Sequence, residues 1–225
     1  MHRLNVEFDI GGTWIRAYLW RGSRLVRFER ARTPVRSAKN LRAVLVQMYS
    51  HITQQSNVNA VYMGVAGKVH GKSVVTSRNI PSLTGFSFAA LFPKNISLTV
   101  DNDARAFLRG AVMRYPTLRQ GIVMGITLGT GVGRAVARGG KVLRLTRLEH
   151  SEIWEKKYQK MRLKPSERLA IFISEQIQPL VSQYRPKAIV LGGGVVQNKV
   201  GLFKALSAKI RITYGVRILR INTVM

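Results

Sequence analysis

The chain has 225 residues, enough to bury a sizeable core, and its 46% hydrophobic and 21% charged residues suit an ordinary globular protein. It has no cysteine, which excludes disulfides and thiolate metal sites, and no apolar run reaches the roughly 20 residues that span a bilayer. Lys and Arg number 37 against 10 Asp and Glu, a formal net charge of +27. A field of that sign attracts polyanions such as nucleic acid, polyphosphate or acidic membrane. The basic residues run from Arg3 to Arg220 with no separate arm, so they read either as a generally basic surface or as a specific polyanion site. Glu7 and the glycine turn after it argue against a signal peptide, and a cytoplasmic location is expected.

Residues 4–9 alternate and run into Gly11-Gly12, which predicts a strand and a turn. Residues 15–20 and 25–30 predict two more strands around the turn Arg21-Gly22-Ser23, so the chain opens as an antiparallel meander. Leu41, Val44, Leu45 and Met48 recur at helical spacing within residues 37–54, with Ser37 as N-cap. Residues 60–65 form a short buried strand ending at Gly67, and residues 96–100 another, ending at Asp101-Asn102-Asp103; a helix is expected over 104–113. The pattern then restarts. Strands are expected over 121–128, 134–138 and 141–145, a helix over 165–184, a strand over 188–191, a helix over 200–210 and a last strand over 216–221. A meander followed by alternating helices and strands thus occurs twice, with a break at Tyr115-Pro116-Thr117. The expected organisation is an N-terminal lobe (1–115) and a C-terminal lobe (116–225), both α/β, with a cleft between them.

Three glycine turns stand out. Asp9-Ile10-Gly11-Gly12-Thr13 lies between two strands, so the strand–glycine–helix mechanisms of Rossmann and P-loop sites do not transfer. Gly11 and Gly12 let the backbone approach an anion and present its N–H groups, Thr13 adds a hydroxyl, and Asp9 can hold a magnesium ion through water. A plain hairpin turn is the alternative. Gly129-Thr130-Gly131-Val132-Gly133 repeats the arrangement in the second half, and the pair suits one polyphosphate gripped from two sides. Gly192-Gly193-Gly194 ends a buried strand and leaves room for a flat ring on the backbone, or is a loose strand–helix connection. Between these turns, Asp101-Asn102-Asp103 sits where a strand meets a helix. A carboxylate there can take the proton of a hydroxyl that attacks a phosphoryl group, with Asn102 orienting that hydroxyl. Helix capping by Asp101 or Asp103 is the structural reading. Asp103 is the better catalytic candidate and Asp101 the better cap.

Taken in order, these residues resemble the ROK family of sugar kinases and their regulator relatives, a branch of the actin/hexokinase superfamily. The Asp9-to-Thr13 run with Ile15-Arg16-Ala17 looks like the first phosphate motif of that family, and Gly64-Val65-Ala66-Gly67 with Ser77-Arg78-Asn79-Ile80-Pro81 like its sugar-facing loops. Asn102-Asp103-Ala104 looks like the catalytic segment, Leu128 to Gly133 like the second phosphate motif, and Val190 to Val195 like the adenosine motif. The resemblance implies two ribonuclease-H-like lobes, Asp103 as general base, Asn79 and Asn102 as sugar contacts, and ATP with magnesium as cofactors. It departs at Arg147-Leu148-Glu149-His150, which stands where an E-x-G-H segment is expected. In one register His150 matches and Arg147 replaces the acid; in another Glu149 matches a later sugar-binding Glu. Glu149 and His150 remain the sugar contacts in both.

The absence of cysteine removes the zinc motif that follows this segment in most members, so the chain looks like the zinc-less branch, which includes polyphosphate-using kinases. The chain also stops before the closing helix expected of the family, and leaves no room for an N-terminal helix-turn-helix. The partners expected are a sugar and a nucleotide or polyphosphate, with nucleic acid attracted nonspecifically, no membrane, and a homodimer as a compatible assembly. A degenerate kinase fold that binds nucleotide or nucleic acid without turnover is the competing expectation, although no recognition helix or aromatic stacking stripe stands out in the sequence.

Overall fold

Alternating burial drives the first sheet. In the computed structural model, which describes residues 4–22, 24–150 and 152–220, β1 (Leu4–Ile10) buries Val6, Phe8 and Ile10, and β2 (Trp14–Arg21) buries Ile15, Ala17 and Leu19. β3 (Arg24–Arg32) pairs antiparallel with β2, and β2 with β1, giving the expected meander. Ser23 of the predicted turn, Ile221 of the predicted last strand and the terminal residues 222–225 lie outside the described residues. α1 (Ala38–Thr53) starts where predicted: the Ser37 hydroxyl accepts from the Asn40 N–H at 3.1 Å, and Leu41, Leu45, Met48 and Ile52 are buried in the first core.

β4 (Val58–Val65) runs parallel to β1. A small hairpin that the sequence did not disclose follows, β5 (Lys68–His70) and β6 (Ser73–Thr76), turning at Gly71 with φ +57°. β7 (Ser97–Asn102) pairs parallel with β4, completing the order β3-β2-β1-β4-β7. α2 (Asp103–Arg114) leads out of β7.

The second sheet repeats the first. β8 (Ile122–Leu128), β9 (Val132–Arg138) and the short β10 (Lys141–Val142) make a meander. α3 (Glu155–Met161) and α4 (Ser166–Tyr184) precede β11 (Ala188–Gly192), which runs parallel to β8. α5 (Gly194–Asn198), α6 (Leu202–Tyr214) and β12 (Arg217–Arg220) close the order β10-β9-β8-β11-β12. Leu169, Ile173 and Ile177 of α4 and Leu206 and Ile210 of α6 fill the second core with Met124, Ile126 and Leu128.

The chain forms two compact units and passes from one to the other inside α2, between Ala106 and Phe107. Phe107 and Leu108 already pack on the second sheet. A Cβ built on Gly192 would fall 2.4 Å from the Phe107 ring, and one on Gly125 would fall 3.1 Å from Leu108 Cβ. The helix therefore changes unit before Tyr115-Pro116-Thr117 is reached. No helix among the described residues is long and apolar enough to cross a membrane.

Candidate active site

In the N-terminal unit, Asp9 stands at the end of β1 opposite Arg16 on β2. Arg16 Nη1 donates to Asp9 Oδ2 at 2.9 Å. Burial pushes the Asp9 carboxyl above its ordinary range, and the charge and hydrogen bond of Arg16 oppose that rise. The turn that follows is tied from behind. Gly11 N–H donates to the Trp14 carbonyl at 3.0 Å, Thr33 Oγ1 donates to the Gly11 carbonyl at 2.7 Å, and the Thr33 N–H donates to the Thr13 carbonyl at 3.2 Å. Thr13 is exposed, and Gly11 and Gly12 are partly so. Thr33 has no place in the sequence motif, because only the β2–β3 pairing brings it beside the turn.

Asp103 is the first residue of α2 and is half-buried. Its Oδ1 accepts from the Ala104 N–H at 2.8 Å. Burial raises its carboxyl to about 7, and the negative charge of Asp9 adds to the rise; the backbone N–H groups of Ala104 and Asp103, and Arg105, oppose it. The sequence offered Asp101 or Asp103 as the helix cap, and the structure gives that place to Asn102. Asn102 Oδ1 accepts from the Ala104 N–H at 3.0 Å and the Arg105 N–H at 3.4 Å. The reason is local: Asp101 Oδ1 is held by Arg105 Nε and by the Asn102 N–H, and Asp103 already lies inside the helix. Asn102 Nδ2 donates one hydrogen to the Gly67 carbonyl at 3.0 Å, which leaves its second amide hydrogen for a hydroxyl. Asn79 is exposed in the loop after β6, and Ser77 Oγ pins that loop to the Ala66 carbonyl at 2.6 Å. Asp9 thus stands at the end of β1 and Asn102 and Asp103 at the end of β7, with β4 between the two strands and the Asn79 loop fastened next to the residue that Asn102 grips.

In the C-terminal unit, the Gly129-Thr130-Gly131 turn joins β8 to β9, with the Gly129 N–H donating to the Gly131 carbonyl at 2.9 Å. Its carbonyls are gripped by α3: Tyr158 donates its hydroxyl to the Gly129 carbonyl at 3.0 Å and Gln159 Nε2 donates to the Thr130 carbonyl at 2.6 Å. Arg162, just past the helix, reaches the same Gly129 carbonyl at 3.5 Å. These donors fix the turn by its Gly129 and Thr130 carbonyls. Sequence reasoning missed α3 because the stretch is lysine-rich and has no capping side chain. The one available signal was the apolar pair Trp154 and Tyr158 at helical spacing.

Gly192 and Gly193 turn out to be packing glycines. Gly192 accommodates the Phe107 ring, and Gly193, at φ +93° and ψ 158°, lies so close to Leu128 that a Cβ would sit 2.4 Å from its carbonyl oxygen. That contact fastens the third glycine turn to the strand that feeds the second. Gly194 begins α5 with only Asn198 Nδ2 near its Cβ position, at 3.8 Å. Gly193→Ala is expected to lose about 1–3 kcal/mol from backbone strain alone, before the clash is added. Thermal melting of the variant checks this, and an unchanged melting temperature contradicts it.

Glu149 is half-buried at the end of a short 3₁₀ turn (Thr146–Glu149), and the His150 side chain is exposed. The segment that carries both is held by Arg134 of β9, which is 3% exposed. Arg134 donates to the His150 carbonyl, pairs with Glu155 Oε1 at 3.1 Å and Glu152 Oε1 at 3.0 Å, and lies 5.8 Å from the Trp154 ring centroid. This buried arginine was not singled out from the sequence, because nothing local distinguishes it from the many other arginines.

Among the described residues no three His, Asp or Glu side chains cluster as a metal site. A hard divalent cation fits Asp9 only as magnesium usually binds, through one carboxylate, water and the oxygens of a phosphate ligand.

The model of the ROK family matches residues 6–153. The N-acetyl-D-glucosamine kinases of Citrobacter koseri and Erwinia tasmaniensis are each 28% identical to the chain, over 139 and 142 residues, or 60% of it. The match takes in 46% of each of those proteins, so the chain spans about half the length of the relatives it matches. Among solved structures, a ROK family glucokinase from Streptomyces griseus in complex with glucose and AMPPNP superposes with a TM-score of 0.83 at 20% identity, covering 96% of this chain and 94% of that one. The inorganic polyphosphate/ATP-glucomannokinase of Arthrobacter sp. strain KM gives 0.82 at 20% identity, covering 97% and 92%. The α/β fold is therefore the actin/hexokinase-like fold of these kinases. With twin meander sheets, ordered glycine turns and a family model matched from residue 6 to residue 153 of 225, the chain belongs to the ROK family.

Proposed function

We propose that the chain is a sugar kinase that transfers the terminal phosphoryl group of ATP to a hydroxyl of a hexose-type sugar. Asp103 carries this reading. A half-buried carboxyl raised to about 7 at the mouth of a helix is matched to taking a proton near neutral pH, and the hydrogen bonds it accepts come from the backbone N–H groups of Asp103 and Ala104. In this reading Asp103 accepts the proton of the attacking sugar hydroxyl. Asn102 orients that hydroxyl with its second amide hydrogen, and Asn79, Glu149 and His150 make further sugar contacts. Gly12 and Thr13 in one unit, and Thr130 and Gly131 in the other, are phosphate contacts through backbone N–H groups and hydroxyls, while Gly11 and Gly129, whose N–H groups donate to the Trp14 and Gly131 carbonyls, shape the two phosphate turns. Gly192, Gly193 and Gly194 mark the strand end beside which the adenosine lies, Gly192 and Gly193 fixing it through Phe107 and Leu128 and Gly194 offering the open backbone. Asp9, steadied by Arg16, holds magnesium through water, and that ion supplies neutralisation of phosphate charge when it is bound. Arg134 holds the segment that carries Glu149 and His150, and this reading calls for no zinc. A cytoplasmic setting follows from the ATP donor.

A specific observation supports inorganic polyphosphate as a second donor. α3, whose Tyr158 and Gln159 grip the Gly129-Thr130 carbonyls, also carries the cations Lys156, Lys157 and Lys160. The exposed ammonium groups of this helix add to a net charge of +27, which suits a chain of phosphates as donor.

The test is a coupled assay over a panel of hexoses and N-acetylhexosamines with ATP–magnesium in one arm and polyphosphate in the other. Turnover of at least one hexose is expected. Thermal stabilisation by ATP–magnesium without turnover of any sugar by either donor would replace the kinase with a nucleotide-binding protein.

A further inference from the structure

The acids of this chain are segregated along the sequence. Five of the ten lie at or before Asp103 and five between Glu149 and Glu175, so residues 104–148 and 176–225 carry none, against nine and eight lysines and arginines. The fold draws both acid-free stretches to one end of the second sheet. β8 and β11 run parallel, so the Gly129 and Gly193 turns follow them at one end, while Ile122 and Ala188 start them at the other, about 20 Å away at ~3.3 Å per residue. The segments that reach this second end are the close of α2, the β9–β10 hairpin, the α4–β11 connection and the start of β12. Their cations stand side by side. The register sets Arg138 opposite both Ile122 and Lys141, and Arg217 opposite Ala188. The Lys187 N–H donates to the Ile122 carbonyl at 2.8 Å, which puts this lysine between them. Lys141, Arg138, Lys187 and Arg217 are all exposed, and they cross the sheet end from β10 to β12 over roughly 19 Å at about 4.8 Å per strand. Two cations of this end are fastened. Gly121, at φ +71°, makes room for the Lys187 stem, since a Cβ there would fall 2.8 Å from Lys187 Cδ. Gly140, at φ +81°, packs in the same way against Arg119, whose Cβ lies 3.3 Å from the Cβ position. The Arg119 guanidinium donates to the Val112 carbonyl at 3.3 Å and the Met113 carbonyl at 3.0 Å, and keeps three N–H groups for another acceptor.

We propose that this end of the second unit binds duplex nucleic acid through its phosphates, without reading its sequence. A straight row of cations suits a stiff rod of evenly spaced charge, and its length matches about five to six base pairs at a 3.4 Å rise. No carboxylate belongs to the segments that form the row, so nothing there neutralises it or repels a phosphate. Further along β9 the same unit behaves differently, with Arg134 already engaged by Glu152 and Glu155. Single strands are held by stacking on exposed rings, and the ring at this end, Tyr115, is overlain by Arg114, whose guanidinium carbon lies 5.9 Å from its centroid. Fixing the Lys187 and Arg119 stems in advance lowers the ordering cost of each phosphate contact. The sequence disclosed the total charge but not the row, because its members come from separate segments and become neighbours only through the sheet register. The inference goes beyond the kinase reading, which uses the opposite end of this sheet, and it is tested without turnover.

The test is fluorescence anisotropy of the full chain with a labelled DNA duplex and with an oligothymidylate of the same length, over a series of salt concentrations. Tighter binding of the duplex is expected, with log affinity falling linearly against log salt. The triple substitution Arg138→Gln, Lys141→Gln, Lys187→Gln keeps the side-chain stems and is expected to flatten that slope by about 2.7, at roughly 0.9 per lost phosphate contact. A charge-matched control, Lys164→Gln, Arg168→Gln, Lys204→Gln, removes three exposed cations near the starts of α4 and α6 and is expected to leave the slope within about 1 of the native value. Circular dichroism melting verifies that both variants fold. Thermal stabilisation by ATP–magnesium should be the same in all three proteins, so a failure of the kinase reading shows in the native chain and a failure of this one only in the duplex slopes. Equal flattening by the two variants would overturn the proposal in favour of a generally basic surface. Tighter binding of oligothymidylate than of duplex would replace it with a stacking site elsewhere. Binding of phosphatidylserine vesicles that the triple variant loses, with no affinity for either oligonucleotide, would replace it with an anionic membrane surface.

Discussion

Asp103→Asn is expected to lower kcat by about 10²–10⁴, the usual contribution of a positioned general base, while the affinity for ATP stays within a few-fold of the native value. The substitution keeps an oxygen for the Ala104 N–H and removes only the ability to accept a proton. The native protein should show the same group in the pH profile of the proposed reaction. The base works unprotonated, so kcat/KM rises with pH through about 7 and levels off above it. Stability should run the other way. The folded-state carboxyl is raised above its ordinary 3.8, so the folded protein holds this proton more tightly than the unfolded chain does. Its contribution is fully present below about pH 4 and is lost as the pH rises toward 7. The Asn variant is therefore expected to melt above the native protein at pH 8 and level with it at pH 4. Rate loss together with this pH-dependent gain in melting temperature marks an ionisable group held at a cost for chemistry. A variant with native kcat removes Asp103 from the reaction.

Arg134→Met is expected to destabilise the protein by about 3–5 kcal/mol, the range for removing one partner of a buried ion pair. The loss comes mainly from Glu155, which is 8% exposed and would keep its charge without a cation. Glu152 is 48% exposed on its side chain and adds little. Urea unfolding measures the difference, and Arg134→Met combined with Glu155→Leu is expected to recover most of it, because the pair itself contributes little beyond a well-packed apolar replacement. Loss of the grip on the His150 carbonyl should also raise the sugar KM more than it lowers kcat, since Glu149 and His150 ride on this segment. A stability change under about 1 kcal/mol would mean that water reaches Glu155 and that Arg134 is no staple.

Sequence alone determined the strands of the two five-stranded sheets, the duplication and the order of the motifs. These are local properties: alternation in residues 4–9, glycine after a buried strand, and Ser37 ahead of a helical stripe each report on a few adjacent residues. It also placed Asp103 at a strand–helix junction, since Asp101-Asn102-Asp103 is contiguous. Which of those three side chains caps the helix depended on a partner four residues on, Arg105, taking Asp101 out of the choice. The roles of Arg134, Tyr158, Gln159 and Thr33 were decided only by tertiary structure, because each acts on a residue at least 16 positions away. The same is true of the glycines at 192 and 193. Their sequence says only that side chains are missing there, and the fold shows what the missing Cβ atoms spare, Phe107 at Gly192 and the Leu128 backbone at Gly193. A glycine records that something comes close, and only the packed chain says what.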